Sequence, residues 1–528
     1  MRSRWLWFGL WACLLPQTLA ALEVHLLITS DQHGWLSSSD LFPGRKRFGL
    51  LHLEPQIRAV RALEPEVLLL DGGDAVQGSP LVTWAHEESP NRNPFTRKLQ
   101  ELGYTALAVG NHDLETNPVF EAYDQALPWL AANVTRQGKQ VFAPYKIVLV
   151  KGVKIALLGL TTPGAHQWLS PQRLQGLEVQ DMTAAARDWV PRIRQVEHPD
   201  LLIALLHSGL DPKRDDAVSK LNRQPPANAS YPLLQEVAGI DLAITGHDHR
   251  RIPFNSGPLP RVNRTYVVGG DSHGQSLIQV RLELDGLPGA RRIRHAQARV
   301  HFPLADPQID KAYKQSLPLA YRAWLERSTG WYYLGAGLKK LQPCLQQFQA
   351  QAAVAALGAE AAEGSALPLV APGGIRNREL IAWRHILSWL PYDNDLQLLR
   401  LNLRQIRLLG QERDLYLNLA TPLQPEEPGW VLPRQDFTET RDLVLGSYHA
   451  AGGAGVAGAA LIQPEQNLAT LPGGLRSRLF AWLQDSKEAP AQCRGLIARE
   501  LPPKKTKAAK PRRAKPKTKP QTKQAQGV

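Results

Sequence analysis

Residues 22–303 are predicted to form an α/β fold, with a second and smaller α/β region after them. Two observations carry this prediction. Short Leu/Val/Ile-rich runs, "EVHLLITS", "EVLLLDGGD", "YTALAVGNHD", "KIALLGLTT", "LLIALLHSG" and "DLAITGHDH", recur between Gly, Asp or Asn boundaries, as strands buried on both faces do. Amphipathic stretches such as "LHLEPQIRAVRAL" and "MTAAARDWVPRIRQV" separate some of them, giving the alternation of an α/β chain.

Each part of the chain has its own reason for this assignment. At the N-terminus Arg2 and Arg4 precede an apolar run from Trp5 to Leu15, then Pro16 and small residues up to Ala20. A charged stretch, a short apolar core and a small-residue cleavage site make residues 1–21 a secretory signal cut near Ala20 or Ala21. The run is shorter than the roughly 20 apolar residues a membrane span needs. The expected location is therefore exported, periplasmic or extracellular.

Residues 304–330 read as a helical linker on the strength of "DPQIDKAYKQSLPLAYRAWLERS". Residues 331–500 form the second region. It opens on "CLQQFQAQAAVAALGAEAAEG", helical by its Ala and Gln content, and is punctuated by Gly and Pro where loops belong. Cys344 and Cys493 are the two cysteines left after the signal. An oxidising compartment allows them to pair, and two unpaired buried thiols are the alternative.

The chain has 528 residues, 43% of them hydrophobic and 21% charged, with a net charge of +14. Residues 501–528 hold ten of the Lys and Arg residues and no acid; without them 52 basic residues face 48 acidic ones, a net +4. The body is nearly neutral, so its charge selects no substrate and predicts no specific recognition of nucleic acid. The tail is Pro- and Lys-rich and cannot build a core. It reads either as a solvated, disordered extension or as a tether to an anionic envelope surface.

The strand ends carry the chemistry. "ITSDQHG" supplies Asp31 and His33, "DGGDAVQGSP" Asp74, "GNHDLE" Asn111 and His112, "LLHSG" His207, and "ITGHDHR" His247 and His249. Sites in open α/β sheets lie outside the carboxyl ends of the strands, so five strands deliver Asp, His and Asn to one face. That mixture suits Zn, Mn or Fe dications, whereas calcium favours oxygen alone. Seven ligands are too many for one closed site and fit two divalent metal ions, which ~3.5–4 Å apart hold a hydroxide and clamp a phosphoryl group for in-line attack. Taken singly, a His after an apolar run is commonly a structural hydrogen-bonder and an Asp a helix cap; the ordered series is what makes the signal.

These motifs resemble the calcineurin-like metallophosphoesterases, and "DGGDAVQGSP" with "GGIR" resembles the secreted 5′-nucleotidase and UDP-sugar hydrolase branch, over roughly residues 22–500. The resemblance implies a four-layer αββα catalytic domain over 22–303 and a 5′-nucleotidase C-terminal-type domain over 331–500. It implies that Asp31, His33, Asp74 and His249 hold one metal, and that Asp74, Asn111, His207 and His247 hold the other with Asp74 bridging. A metal-bridging hydroxide is the nucleophile and His112 stands by the transition state. Where the family commonly reads Gly-Asn-His-Glu-Phe-Asp, this chain reads "GNHDLE", which puts Glu115 in the place of the acid that orients His112 and leaves Asp113 open to a reading as a polar turn residue.

For the second domain the resemblance implies binding of a nucleotide-type phosphate ester or pyrophosphate by Arg376 of "GGIR" and by stacking on Tyr448. Ala454 and Val456 replace the acid and the aromatic of that domain's loop, so the specificity site departs from the pattern while the metal centre keeps it. Relatives of the fold that hydrolyse bonds to sulfur offer one alternative. An envelope polyanion-binding protein with a structural metal centre is the other, and a basic tail on an anionic surface fits that second reading.

Overall fold

The structure is a computed structural model. It describes residues 22–37, 48–88, 93–115, 127–169, 171–210 and 227–333, and in the second region 338–357, 364–368, 380–382, 384–386, 396–403, 405–406, 415–419, 440–446, 467–471, 475–486, 493 and 497–498. The signal segment, the basic tail, Arg376, Tyr448, Ala454 and Val456 lie outside the described residues.

In chain order the first region runs through β1 (Leu22–Thr29), β2 (Leu68–Asp71), β3 (Ala106–Ala108), β4 (Trp129–Leu130), β5 (Val134–Arg136), β6 (Lys139–Gln140), β7 (Tyr145–Val150) and β8 (Val153–Thr161). It continues with β9 (Leu177–Val179), β10 (Leu201–His207), β11 (Leu242–Thr245), β12 (Gly257–Pro258), β13 (Arg261–Val262), β14 (Thr265–Gly269), β15 (Leu277–Asp285) and β16 (Arg292–His301). The strands divide between two main sheets, one ordered β12-β16-β15-β1-β2-β3-β4 and the other β13-β14-β11-β10-β8-β7. In the first, β1, β2, β3 and β4 run parallel; in the second, β8, β10, β11 and β14 do.

Alternation of side chains builds the layers. Leu26 and Ile28 of β1 point into the same core as Ile203 and Leu205 of β10 and Ile244 of β11, which places that core between the sheets. Leu27, one residue out of phase, packs with Leu50, Leu53 and Ile57 of the helix Leu50–Leu63 and with Phe95 and Leu99 of the helix Pro94–Leu102. On the far face of the other sheet Leu202, Ala204 and Leu206 meet Val190 and Ile193 of the helix Met182–Glu197 and Leu233 of the helix Ser230–Glu236. Period-two strands buried on both faces thus give helix, sheet, sheet, helix, the four-layer αββα arrangement. The outer helices start where caps allow: Asn93 accepts from the Phe95 amide just before Pro94, and Asp181 accepts from the Ala184 amide.

Residues 304–330 contain the helices Pro307–Ser316 and Leu319–Leu325, and Ser328 already begins the strand β17 (Ser328–Tyr333). These helices dock on the first region: the Trp324 indole donates to Glu87 at 2.9 Å and Tyr321 packs on Trp84 with ring centroids 5.4 Å apart. Ser37 donates to Asp310 at 2.5 Å.

The second region holds the helix Leu338–Leu357, which covers residues 344–357 of the expected helical stretch. Gly364–Pro368 is the strand β18, followed by β19 (Leu380–Ala382), β20 (Leu396–Asn402), β21 (Leu415–Leu419), β22 (Thr440–Gly446), β23 (Asn467–Leu471) and β24 (Ile497–Ala498). A five-stranded sheet ordered β21-β18-β22-β20-β23 and a three-stranded one ordered β19-β17-β24 result. Cys344 and Cys493 are fully buried and form a disulfide across 149 residues, which settles the choice left open by the sequence.

Candidate metal centre

Every expected ligand sits on the turn that follows a strand, or at its last residue: Asp31 and His33 after β1, Asp74 after β2, Asn111 after β3, His207 closing β10, and His247 and His249 after β11. The first three strands belong to one sheet and the last two to the other, so the centre lies where the carboxyl ends of two sheets meet. The turns after β1 and β2 are tied to each other, the Asp31 amide donating to Gly73 at 2.8 Å and the His33 amide to Asp74 at 2.9 Å, and the His247 amide donates across the gap to Asp31 Oδ1 at 3.0 Å.

Five of these residues take left-handed backbone conformations, with φ of 51° at Asp31, 50° at His33, 54° at Asp74, 75° at His247 and 56° at His249. Non-glycine residues adopt that region rarely and at a cost of order 1–3 kcal/mol each. A chain leaving a strand must double back here to bring consecutive side chains to one point, and the buried surroundings hold it there. Gly110 shows how tight the point is, since a Cβ on it would fall 2.1 Å from Asp74 Oδ1.

Two groups of donor atoms emerge. Asp31, His33 and His249 bring ligand atoms within 4.8 Å of one another, as do Asp74, His207 and His247. Asn111 joins the second group through Oδ1, 3.2 Å from His207 Nε2 and 3.0 Å from His247 Nδ1. In the first group His33 Nε2 and His249 Nε2 lie 3.1 Å apart.

The surroundings decide which ring nitrogen faces inward. His33 Nδ1 donates to the Gln77 carbonyl at 2.9 Å and His207 Nδ1 to the Gly72 carbonyl at 2.8 Å. Both rings therefore turn Nε2 to the centre, the orientation that carbonyl-anchored metal-binding histidines adopt. Burial pushes His33 well below the usual histidine range, His247 to about 3 and His249 to about 4, keeping these imidazoles neutral. Neutral nitrogens converging with carboxylates and an amide oxygen fit borderline first-row dications.

Burial raises Asp31 to about 7. Burial alone would also raise Asp74, yet the charges of His207 and His112 outweigh it and hold Asp74 well below the carboxylate range. His207 Nε2 lies 3.1 Å from Asp74 Oδ2, and against the cost of burial Asp74 lifts His207 to about 10.

His112 stands beside the groups, its ring 5.3 Å from that of His33 and its amide donating to Asp74 at 2.8 Å. Its Nδ1 meets Glu115 Oε1 at 2.7 Å. Burial works against its proton, and Glu115 and Asp74 prevail, raising His112 to about 9. Asp113 is fully buried and accepts from the amides of Val76 and Gly110 at 2.9 and 2.8 Å. It braces the turns that carry Asp74 and Asn111, a larger part than that of a polar turn residue.

Sequence reasoning passed over four neighbours. Gln77 sits inside the quoted "DGGDAVQGSP" and donates to Glu115 at 3.0 Å. Arg173 reaches Glu115 at 3.4 Å, and Trp168 stacks on His247 at 5.1 Å with 16° between planes. Both follow β8, the one of the six quoted apolar runs whose carboxyl end carried no ligand motif. His273 stacks on His33 at 5.1 Å, and nothing in "GGDSHG" marks it out.

Known proteins resemble this chain in sequence and in fold. The profile of the calcineurin-like phosphoesterase family matches residues 24–251. A 5′-nucleotidase of Vibrio cholerae is 28% identical over 250 residues, 46% of this chain and 43% of that protein. A 2′,3′-cyclic-nucleotide 2′-phosphodiesterase/3′-nucleotidase of Yersinia enterocolitica is 29% identical over 327 residues, 56% and 48% of the two chains. The chain thus spans less than half the length of each of these two curated relatives. Among solved structures, a putative 5′-nucleotidase of Staphylococcus aureus superposes with a TM-score of 0.66 at 16% identity, covering 89% of this chain and 98% of that one, a likeness of fold. Residues 24–251 therefore match the calcineurin-like phosphoesterase family, and the chain is similar to 5′-nucleotidases in sequence and in fold.

Proposed function

We propose that this chain is an exported dinuclear-metal phosphoesterase that hydrolyses a nucleotide-type phosphate ester or pyrophosphate. The observation that carries the reading is the pair of adjacent ligand groups with His112 beside them. Asp31, His33 and His249 would hold one ion, and Asp74, Asn111, His207 and His247 the other, with Asp74 bridging. Two divalent ions of the Zn, Mn or Fe type supply Lewis acidity toward water and toward the phosphoryl oxygens when bound.

The chain's own residues do the rest. Glu115 accepts from Nδ1 of His112, so the second proton of a cationic His112 sits on Nε2. Raised to about 9, His112 keeps that proton at neutral pH and offers it to charge developing on the phosphoryl group or the departing oxygen. The left-handed turns and carbonyl anchors fix the donor set before substrate arrives, which limits reorganisation during the reaction. Arg376 and Tyr448 are proposed to bind the nucleotide-type part of the substrate. With Ala454 and Val456 in place of the loop's acid and aromatic, discrimination among nucleosides is expected to be weak, because the loop's sequence lacks a charged acceptor. The named activities of the Vibrio and Yersinia relatives support this substrate class. The buried disulfide supports export to an oxidising compartment, and among the described residues no helix is long and apolar enough to cross a membrane.

The test is phosphate release by manganese- or zinc-loaded protein from 5′-AMP, UDP-glucose, a 2′,3′-cyclic nucleotide and an aryl phosphate, with His112→Ala as control. Metal-dependent turnover of at least one nucleotide that collapses in the variant is the expected result. Turnover of the aryl ester alone would remove the nucleotide assignment, and no turnover at all would sink the hydrolase.

A further inference from the structure

The carboxylate that faces His112 is itself held from behind. While Glu115 Oε1 meets His112 Nδ1 at 2.7 Å, Oε2 accepts from Gln77 Nε2 at 3.0 Å and from Arg173 Nη1 at 3.4 Å. Besides His112 on its own short helix, two separate parts of the chain converge on this carboxylate: the turn after β2 through Gln77 and the helix Pro171–Leu174 beyond β8 through Arg173. The side chains of Arg173 and Glu115 are 16% and 11% exposed, so water screens the pair far less than it screens a surface pair. A guanidinium fork suits this partner because its planar donors match a carboxylate.

Gln77 takes part at a local cost. With Nε2 committed to Glu115, its Oε1 is buried and has no hydrogen-bond partner among the described residues, a condition that buried polar atoms ordinarily avoid. The same residue's carbonyl anchors His33 Nδ1. Gln77 therefore bears on His33 directly and on His112 through Glu115.

A glutamate has one more rotatable bond than an aspartate, and that freedom must be removed if Oε1 is to stay on Nδ1. Two donors on the opposite oxygen remove it. We propose that Gln77 and Arg173 are positioning residues that clamp Glu115 and so set the orientation of His112 toward substrate, an inference that rests on the phosphoesterase reading above. The clamp is matched to the longer acid: the shorter carboxylate of Glu115→Asp cannot span from His112 to both donors, so that change lowers activity.

The experiment uses the full chain, loaded with manganese, and a 4-nitrophenyl phosphate ester. Arg173→Ala is expected to lower kcat about 10–100-fold with KM changed less than about twofold, and Arg173→Lys to recover part of the loss. Gln77→Glu, nearly isosteric, places a like charge against Glu115 and lowers kcat as well. Arg173→Ala combined with Glu115→Gln should be no slower than Glu115→Gln alone, since both act through one contact. In protein labelled with 15N-histidine, the His112 Nδ1–H resonance should be present in the wild type and shifted or lost in Arg173→Ala and Glu115→Gln, with melting temperatures reporting that each variant folds. An unchanged kcat in Arg173→Ala, multiplying losses in the double variant, or an unmoved resonance overturns the proposal. If the wild type turns over no ester, the phosphoesterase reading fails, and the resonance alone decides the clamp.

Discussion

The two ligand groups stand side by side, use the same residue types and are tuned in opposite directions. In the first, burial raises Asp31 to about 7 and drives His33 and His249 down, so two neutral imidazoles face a carboxylate that is slow to ionise. In the second, Asp74 and His207 form an ion pair, the acid held low and the imidazole raised to about 10. Depth does not separate them, since Asp31, Asp74 and His207 are all buried. Neighbours do: Asp74 lies among His207, His112 and His33 and accepts from His207, whereas for Asp31 burial outweighs the pull of His207 and Asp74 adds a like charge. One group presents lone pairs ready for an ion, and the other keeps a proton that an ion must displace.

The most severe way to break the contrast is Asp74→Asn. It removes the shared carboxylate and the counter-charge of His207, and should lower phosphate release by roughly four orders of magnitude, equivalent to about 5–6 kcal/mol. Metal content measured by elemental analysis should fall with it; a variant that keeps both ions and its rate would show that Asp74 bridges nothing. His112→Ala leaves both groups standing and takes away the proton beside them, so kcat should drop about 10²–10³-fold at unchanged metal content.

A calorimetric titration sharpens the comparison. His247→Ala retains the first group and His249→Ala the second, and each can be titrated at pH 8 in buffers of different ionisation enthalpy. Loading the second group should release about one proton, the one His207 holds below its raised value, while loading the first releases almost none. As pH falls through about 7, Asp31 takes up a proton, so affinity at the first group weakens there, whereas the second is already competing with its proton at higher pH. Equal proton release by the two variants would erase the distinction.

The smallest effect on the centre is expected from Cys344→Ser with Cys493→Ser. The disulfide closes 149 residues of the second region, and the chain-entropy estimate for a loop of that length is about 5 kcal/mol. The variant should unfold at lower denaturant while aryl ester turnover and metal content stay within about twofold. A collapse of metal content would show that the second region supports the first more deeply than the docking of the linker helices through Trp84, Tyr321 and Trp324 implies.

Much of the centre was legible before any coordinates, because ligand type and strand termination are local properties. A run such as "LLIT" ending in "SDQHG" states that a buried strand delivers Asp31 and His33 to its carboxyl end, and the same holds for Asn111, His207, His247 and His249. The division of those strands between two sheets came to the sequence reading only through resemblance. Near-continuous apolar runs show that both faces are buried without showing what covers them.

What the tertiary structure alone decided are the contacts that no local pattern encodes. His33 meets His249 across 216 residues, Arg173 reaches Glu115 across 58, and Gln77 reaches it across 38. Trp168 and His273 come to the rings of His247 and His33 from segments without a ligand motif, and Cys344 finds Cys493. The amino-acid sequence by itself determined the α/β rhythm, the ligand types and their placement at strand ends, since side-chain chemistry and a period of two act over a few residues. Which groups face one another, and hence which of two buried aspartates is held ionised, depends on sheet order and packing over long separations, where only the folded chain sets the distances that electrostatics and hydrogen bonding obey.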